Sequence, residues 1–193
     1  SSPLETIREH YGRDPNVNVA SIDRGIDAAK DMVARAATLT ASQHSARLNV
    51  RVTNESGHKI PTGHIEGRRI FLSIALLDGT GGVVHEYGHY DFDEAHLDEE
   101  STVIYEMHVG LSEFAAGATV FPAGVTPHMA LADTIEKDNR IPPRGFTHAA
   151  YASGGAPVVA WSYADGQHWD DSCFGIHPGA APARLPLYYQ TLP

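Results

Sequence analysis

The chain has 193 residues, a formal net charge of -10, 42% hydrophobic and 20% charged residues, twelve histidines and one cysteine. That balance describes an ordinary globular chain, long enough to bury about 70% of its unfolded surface. The charge argues against nucleic-acid and anionic-membrane partners, and one cysteine excludes both an internal disulfide framework and a Cys-x-x-Cys-His haem attachment site.

Residues 1–19 read as an irregular polar arm, broken by Pro3, Gly12 and Pro15. Ser21 is the expected N-cap of the helix that follows, with Asp23 in its first turn to favour the dipole. Ile22, Ile26, Ala29, Val33 and Ala37 recur at helical spacing, which predicts one helix over 22–39. After Gln43 the period changes to two. Leu48, Val50 and Val52 alternate with Asn49, Arg51 and Thr53, the pattern of a half-buried strand. Residues 70–77 are apolar on both faces and predict a central strand, far too short to span a bilayer. The glycine-rich run from Asp78 to Gly82 predicts a hairpin loop, with 83–87 as the returning strand. Residues 102–109 predict another strand, with Val103, Tyr105, Met107 and Val109 on one face. Short strands are expected at 117–120 and 158–163, a helical turn around 129–135, and a last strand at 184–190 in which Pro186 marks an edge or a bulge. Together these give a mainly β fold, an immunoglobulin-like antiparallel β-sandwich with one N-terminal helix. The expected division is an arm and helix over 1–43 and the sandwich over 44–193.

Several blocks carry candidate chemistry. The block from Gly57 to His64 places His58 and His64 in a loop stiffened by Pro61, with Gly57 and Gly63 free to take unusual backbone angles. Such a loop can hold an imidazole in a fixed direction, or can simply be a rigid turn. Glu66, Arg68 and Arg69 follow and can brace it as an ion pair. His85 and His89 fall on one strand face but two pleats apart, too far for easy chelation of one ion. The carboxylates of Asp91, Asp93, Glu94, Asp98, Glu99 and Glu100 form an acidic loop that can hold calcium or simply face solvent. Cys173 and His177 have the spacing of copper ligands, with no methionine after them. Arg140 and Arg144, in the block from Asp138 to Phe146, can clamp carboxylates in bidentate fashion. Trp161, Tyr163 and Trp169 can form an aromatic platform for sugar or pack in the core. Nothing supports a nucleophilic enzyme: the chain has no Gly-x-Ser-x-Gly elbow and no His-Glu-x-x-His.

Taken together, Gly57-His58-Lys59-Ile60-Pro61-Thr62-Gly63, Glu66-Gly67-Arg68-Arg69, Tyr105-Glu106, the block from Asp138 to Phe146, Asp165-Gly166-Gln167 with Trp169-Asp170, and Tyr188-Tyr189-Gln190-Thr191 resemble a known domain. It is the C-terminal β-sandwich domain of secreted multihaem c-type cytochromes, and the resemblance runs roughly from Ala29 to Thr191. Cys173 and His64 depart from its pattern, and the haem-attaching region that precedes the domain in the family is not in this sequence. The resemblance therefore implies haem c carried by a partner chain or a cleaved region. It further implies export to the periplasm or the cell exterior with a signal peptide removed, and an electron-transfer role without catalysis in a hetero- or homo-oligomeric complex. Under that reading His58 is the first candidate for a distal axial ligand to a partner's haem iron and His64 the second, with His108, His128 and His148 as further alternatives. Arg140 and Arg144 would contact propionates or the partner. Two readings of another class stand beside it: a mononuclear copper or zinc protein built on a histidine cluster, and a structural or carbohydrate-binding sandwich.

Overall fold

The computed structural model describes residues 3–63 and 67–191, so the expectations placed on His64 and Glu66 lie outside the described residues. Two compact units divide the chain, Ser1–Ala37 and Thr38–Pro193.

The first unit is helical. The arm expected to be irregular forms α1, Pro3–Tyr11. Pro3 does not break it, because at the first helical position the missing N–H has no bond to lose. Glu5 in the first turn and Arg8 and His10 in the last match the helix dipole. The expected helix is α2, Val19–Ala34, and its cap is Asn18, which accepts from the Ser21 N–H at 3.3 Å. Ser21, the cap expected from sequence, is thus inside the helix. Arg8 Nε meets Asp23 Oδ1 at 2.6 Å between the two helices.

The second unit is an antiparallel β-sandwich. Its strands are β1 (Ala37–His44), β2 (Arg47–Asn54), β3 (Arg68–Leu72), β4 (Ile74–Leu77), β5 (Val83–Tyr87), β6 (Tyr90–Asp91), β7 (His96–Leu97), β8 (Ile104–Tyr105), β9 (Met107–Leu111), β10 (Gly124–Val125), β11 (Thr134–Asp138), β12 (Trp169–Gly175), β13 (Ala181–Arg184) and β14 (Leu187–Thr191). Two short helices interrupt them, α3 (Glu113–Ala116) and α4 (His148–Ser153). The pairings are β1-β2-β12, β10-β9-β11, β13-β4-β5 and β14-β3-β8, with β6-β7 as a separate hairpin.

The single strand expected at 70–77 is two strands that break at Ser73, whose N–H donates to the Pro186 carbonyl at 3.1 Å. The break is shared by the neighbour: β13 pairs with β4 and β14 with β3, and Pro186 sits in the gap between them. A residue without an N–H stands where the ladder is already interrupted. Likewise 102–109 divides into β8 and β9 around Glu106. Residues 117–120 form no strand, 129–131 turn before β11 begins at Thr134, and 158–163 contributes one bridge, Val159 opposite Asp138. Two strands, β1 and β12, occupy residues read from sequence as helix end, turn or motif.

The hydrophobic pattern of β2 is realised as drawn, with Leu48, Val50 and Val52 buried and Asn49 and Arg51 outward. Phe71, Leu97 and Ile104 form one core cluster, closed by Tyr90 and Tyr188. Gly88 is required by its neighbours: its φ is +61°, and a Cβ there would stand 2.2 Å from the Leu72 carbonyl oxygen.

Candidate functional site

The two sequence blocks that stand out most meet in space. Ile60 and Ile141 form an antiparallel bridge, with Ile60 N–H donating to Ile141 O and Ile141 N–H to Ile60 O, both at 3.1 Å. Asn54, buried, ties the same place: its Nδ2 donates to the carbonyls of His58 at 2.8 Å and Ile141 at 2.9 Å. Below the bridge lies a buried ionic cluster. Lys59 Nζ donates to Asp138 Oδ2 at 2.7 Å and to the carbonyls of Ala156 and Pro157 at 2.9 and 3.0 Å, so all three ammonium protons are used. Arg140 grips the same carboxylate with two nitrogens, Nε to Oδ1 and Nη2 to Oδ2, each at 2.8 Å. Asp138 is 0% exposed and Lys59 5%. Burial pushes the Lys59 ammonium below its ordinary pKa, against the opposing bond and charge of Asp138. An ion pair this deep survives because its remaining polar valences are filled.

This latch explains most of the motif as architecture, and it presents what remains. His58 is exposed on the loop, with Nδ1 at 3.3 Å from the Lys59 carbonyl and 3.2 Å from Ser56 Oγ. With the proton on Nδ1 the ring donates to that carbonyl, and Nε2 has no partner among the described residues. A backbone acceptor on one nitrogen and an open lone pair on the other is the arrangement of a metal-ligating imidazole. Gly63, at φ +92°, ends the described part of the loop, where Arg68 donates to the Thr62 carbonyl at 3.0 Å. Arg144, 75% exposed, reaches Glu55 at 3.5 Å, three residues before His58. The His58 turn and Arg144 therefore share one end of the sandwich. Arg140 is placed otherwise: its guanidinium is 12% exposed and committed to Asp138.

The other candidates are scattered. His108 Nε2 stands 3.1 Å from Glu106 Oε1, and Lys137 Nζ donates to the same oxygen at 2.7 Å. Burial pushes the Glu106 carboxyl upward, but the bonds from His108 and Lys137 and the Lys137 charge outweigh it and hold the group at about 2. His128 packs on the Phe121 ring at 4.3 Å, and His148 Nε2 is taken by the Tyr163 carbonyl at 2.6 Å. In the acidic loop, Asp91 Oδ1 accepts from the N–H groups of Asp93 and Glu94, which makes that carboxylate a turn cap and lowers its pKa. Cys173 is exposed with Arg47 as its neighbour at 3.5 Å. Among the described residues, no group of three or more His, Cys, Asp or Glu side chains is arranged to hold a metal ion. Tyr163 is 1% exposed and its hydroxyl donates to the Asn139 carbonyl, so it is core and not part of a sugar platform.

Sequence reasoning missed two features. Asp170 lies buried beneath Tyr105 and Trp161, accepting from the phenol at 2.9 Å and the indole at 3.3 Å. Burial first, then the Asp170 charge, raises the Tyr105 pKa far above its ordinary value. The second is a pair of histidines, His85 and His177, whose rings stand 4.7 Å apart. The sequence carries no signal for that pairing, because His85 lies on β5 and His177 in the segment after β12, ninety-two residues apart.

Fold and site together define an antiparallel β-sandwich with a buried Lys–Asp–Arg latch under an exposed histidine loop. No family model matches the sequence, and no curated protein matches it. Among solved structures the chain is similar to a penta-heme cytochrome c552 from Thermochromatium tepidum, with a TM-score of 0.53 and 17% identity. The likeness covers 84% of this chain and 34% of that one, so the chain spans about a third of that protein's length. What is shared at this identity is the fold. Among the described residues, no helix is long and apolar enough to cross a membrane.

Proposed function

We propose that this chain is a non-catalytic β-sandwich subunit or processed domain of an exported multihaem cytochrome complex, docked on the polypeptide that carries the haems. The observation that carries the reading is its fold, shared with one third of a penta-heme cytochrome c552. The sandwich covers haem edges and holds haem spacing, and His58 serves as a distal axial ligand to a haem iron of the partner. Supporting that role are the exposure of His58, the carbonyl that orients its Nδ1, and the buried latch that keeps its loop in one conformation. Arg144 is the arginine open to a haem propionate, with the bidentate geometry suited to a carboxylate. Arg140 works one step back, by holding Asp138 and through it Lys59. The acidic surface suits association with a basic face of the haem chain.

Absorption and redox titration of the reconstituted complex test this reading. His58→Ala is expected to convert one haem from six-coordinate low spin to a five-coordinate or water-ligated form and to shift its potential. Unchanged spectra and potentials would remove the ligand role, and failure of the two chains to associate would remove the docking role.

A further inference from the structure

His85 and His177 are set apart, among the described histidines of the sandwich, by a contact between their own rings. The rings of His58, His89, His108, His148 and His168 each have a nitrogen near a hydroxyl, carbonyl or carboxylate oxygen. No ring nitrogen of His85 or His177 has such a partner among the described residues, which is true also of His44, His96 and His128, but these two rings lie against each other, tilted by 56° with their centres 4.7 Å apart. Both come from ordered structure. His85 lies on β5, edge-on to Tyr87 at 4.4 Å. Tyr87 in turn donates its hydroxyl to the Gly175 carbonyl at 3.0 Å and packs on Phe174 at 5.1 Å, which fixes β5 against the end of β12. His177 follows two residues on, held by the Ile176 N–H donating to the Ala46 carbonyl at 2.8 Å.

From these contacts we infer that His85 and His177 form a two-imidazole site for a divalent transition ion such as zinc. An imidazole bound at about 2.0–2.1 Å puts its ring centre about 3.2 Å from the ion, so two such rings have centres about 4.5 Å apart at a right angle and about 5.2 Å apart at the tetrahedral angle. The observed 4.7 Å falls between these limits. Imidazole is the ligand type that suits zinc, copper and nickel. His177 is exposed and His85 half-buried, so water can complete the coordination shell, and the chain's acidic balance favours a cation. The ion would clip β5 to the segment after β12, so binding adds stability to the sandwich.

Zinc titration of the full chain, stripped of metal with a chelator, tests the site by NMR of the histidine ring nitrogens and by thermal unfolding. The first equivalent is expected to shift ring nitrogens of both His85 and His177, leave the His89 ring unchanged and raise the unfolding midpoint. His177→Ala, at an exposed position, is expected to weaken zinc binding at least tenfold and abolish the rise, and His85→Gln to do the same. His89→Ala is the control and retains wild-type affinity. Zinc that shifts neither ring, or binds His177→Ala as tightly as wild type, overturns the assignment.

Discussion

At Asp138 one carboxylate neutralises two buried cations, so removing either side has unequal consequences. Asp138→Asn leaves Lys59 and Arg140 without a counter-charge, a loss of about 3–5 kcal/mol. Lys59→Met leaves Asp138 still gripped by Arg140 and deprives two carbonyls of a donor, a loss of about 1–3 kcal/mol. Denaturant unfolding of the two variants is expected to rank them in that order, and the reverse ranking would mean that Lys59 carries the cluster. Glu106 gives a pH dependence. Its folded pKa of about 2 lies below the ordinary 4.5, so it adds stability in full above about pH 4.5 and loses it as pH falls toward 2. That contribution amounts to about 3 kcal/mol. Urea midpoints between pH 5 and 2 should show a slope that Glu106→Gln reduces. The motif blocks were legible at this scale as unusual residues, but not as partners. Nothing in Gly57–Gly63 announces that its lysine ends on an aspartate seventy-nine residues away.

Among the elements, β2 and β12 show why some strands are readable and others are not. They pair over seven positions, with Leu48 opposite Phe174, Val50 opposite Ser172 and Val52 opposite Asp170. On β2 every inward residue but Asn54 is apolar, so period two is plain in the sequence. On β12 two of the three inward residues, Asp170 and Ser172, are polar, and Asp170 is satisfied there by Tyr105 and Trp161. The hydropathy of β12 therefore carries no alternation, although its outward Asp171 pairs Arg51 directly across the ladder at 2.7 Å. That exposed pair contributes little, and Arg51→Ala is expected to leave the unfolding midpoint close to wild type. Gly88 is the opposite case. Gly88→Ala forces a Cβ onto the Leu72 carbonyl at positive φ, with an expected loss of about 1–3 kcal/mol in equilibrium unfolding. The helix boundaries slipped for a local reason: Asn18 captured the cap and moved the start of α2 three residues upstream of Ile22.

For the molecule as a whole, the helical unit and the sandwich differ in how much each can protect. The helical unit ends at Ala37, and Ile26 is the buried residue of α2. The sandwich buries Leu48, Leu72, Ile74, Leu76, Leu111, Phe146 and Tyr163 almost completely. Hydrogen exchange is expected to follow that difference, with amides of α1 and α2 exchanging orders of magnitude faster than those of β2, β3, β4 and β12. Equal protection across both would show that the two units unfold together. The sequence by itself determined the β class, the antiparallel hairpin at Asp78–Gly82, the inward face of β2 and the chemical oddity of the two motif blocks. These follow from local periodicity and turn chemistry, which act over a few residues. Only the tertiary structure decided that Lys59, Asp138 and Arg140 are one cluster, that Arg144 stands beside the His58 turn, and that His85 meets His177. Each joins residues from segments far apart in the chain, and their proximity follows from how the sheets bring those segments together, a long-range choice that no local pattern encodes.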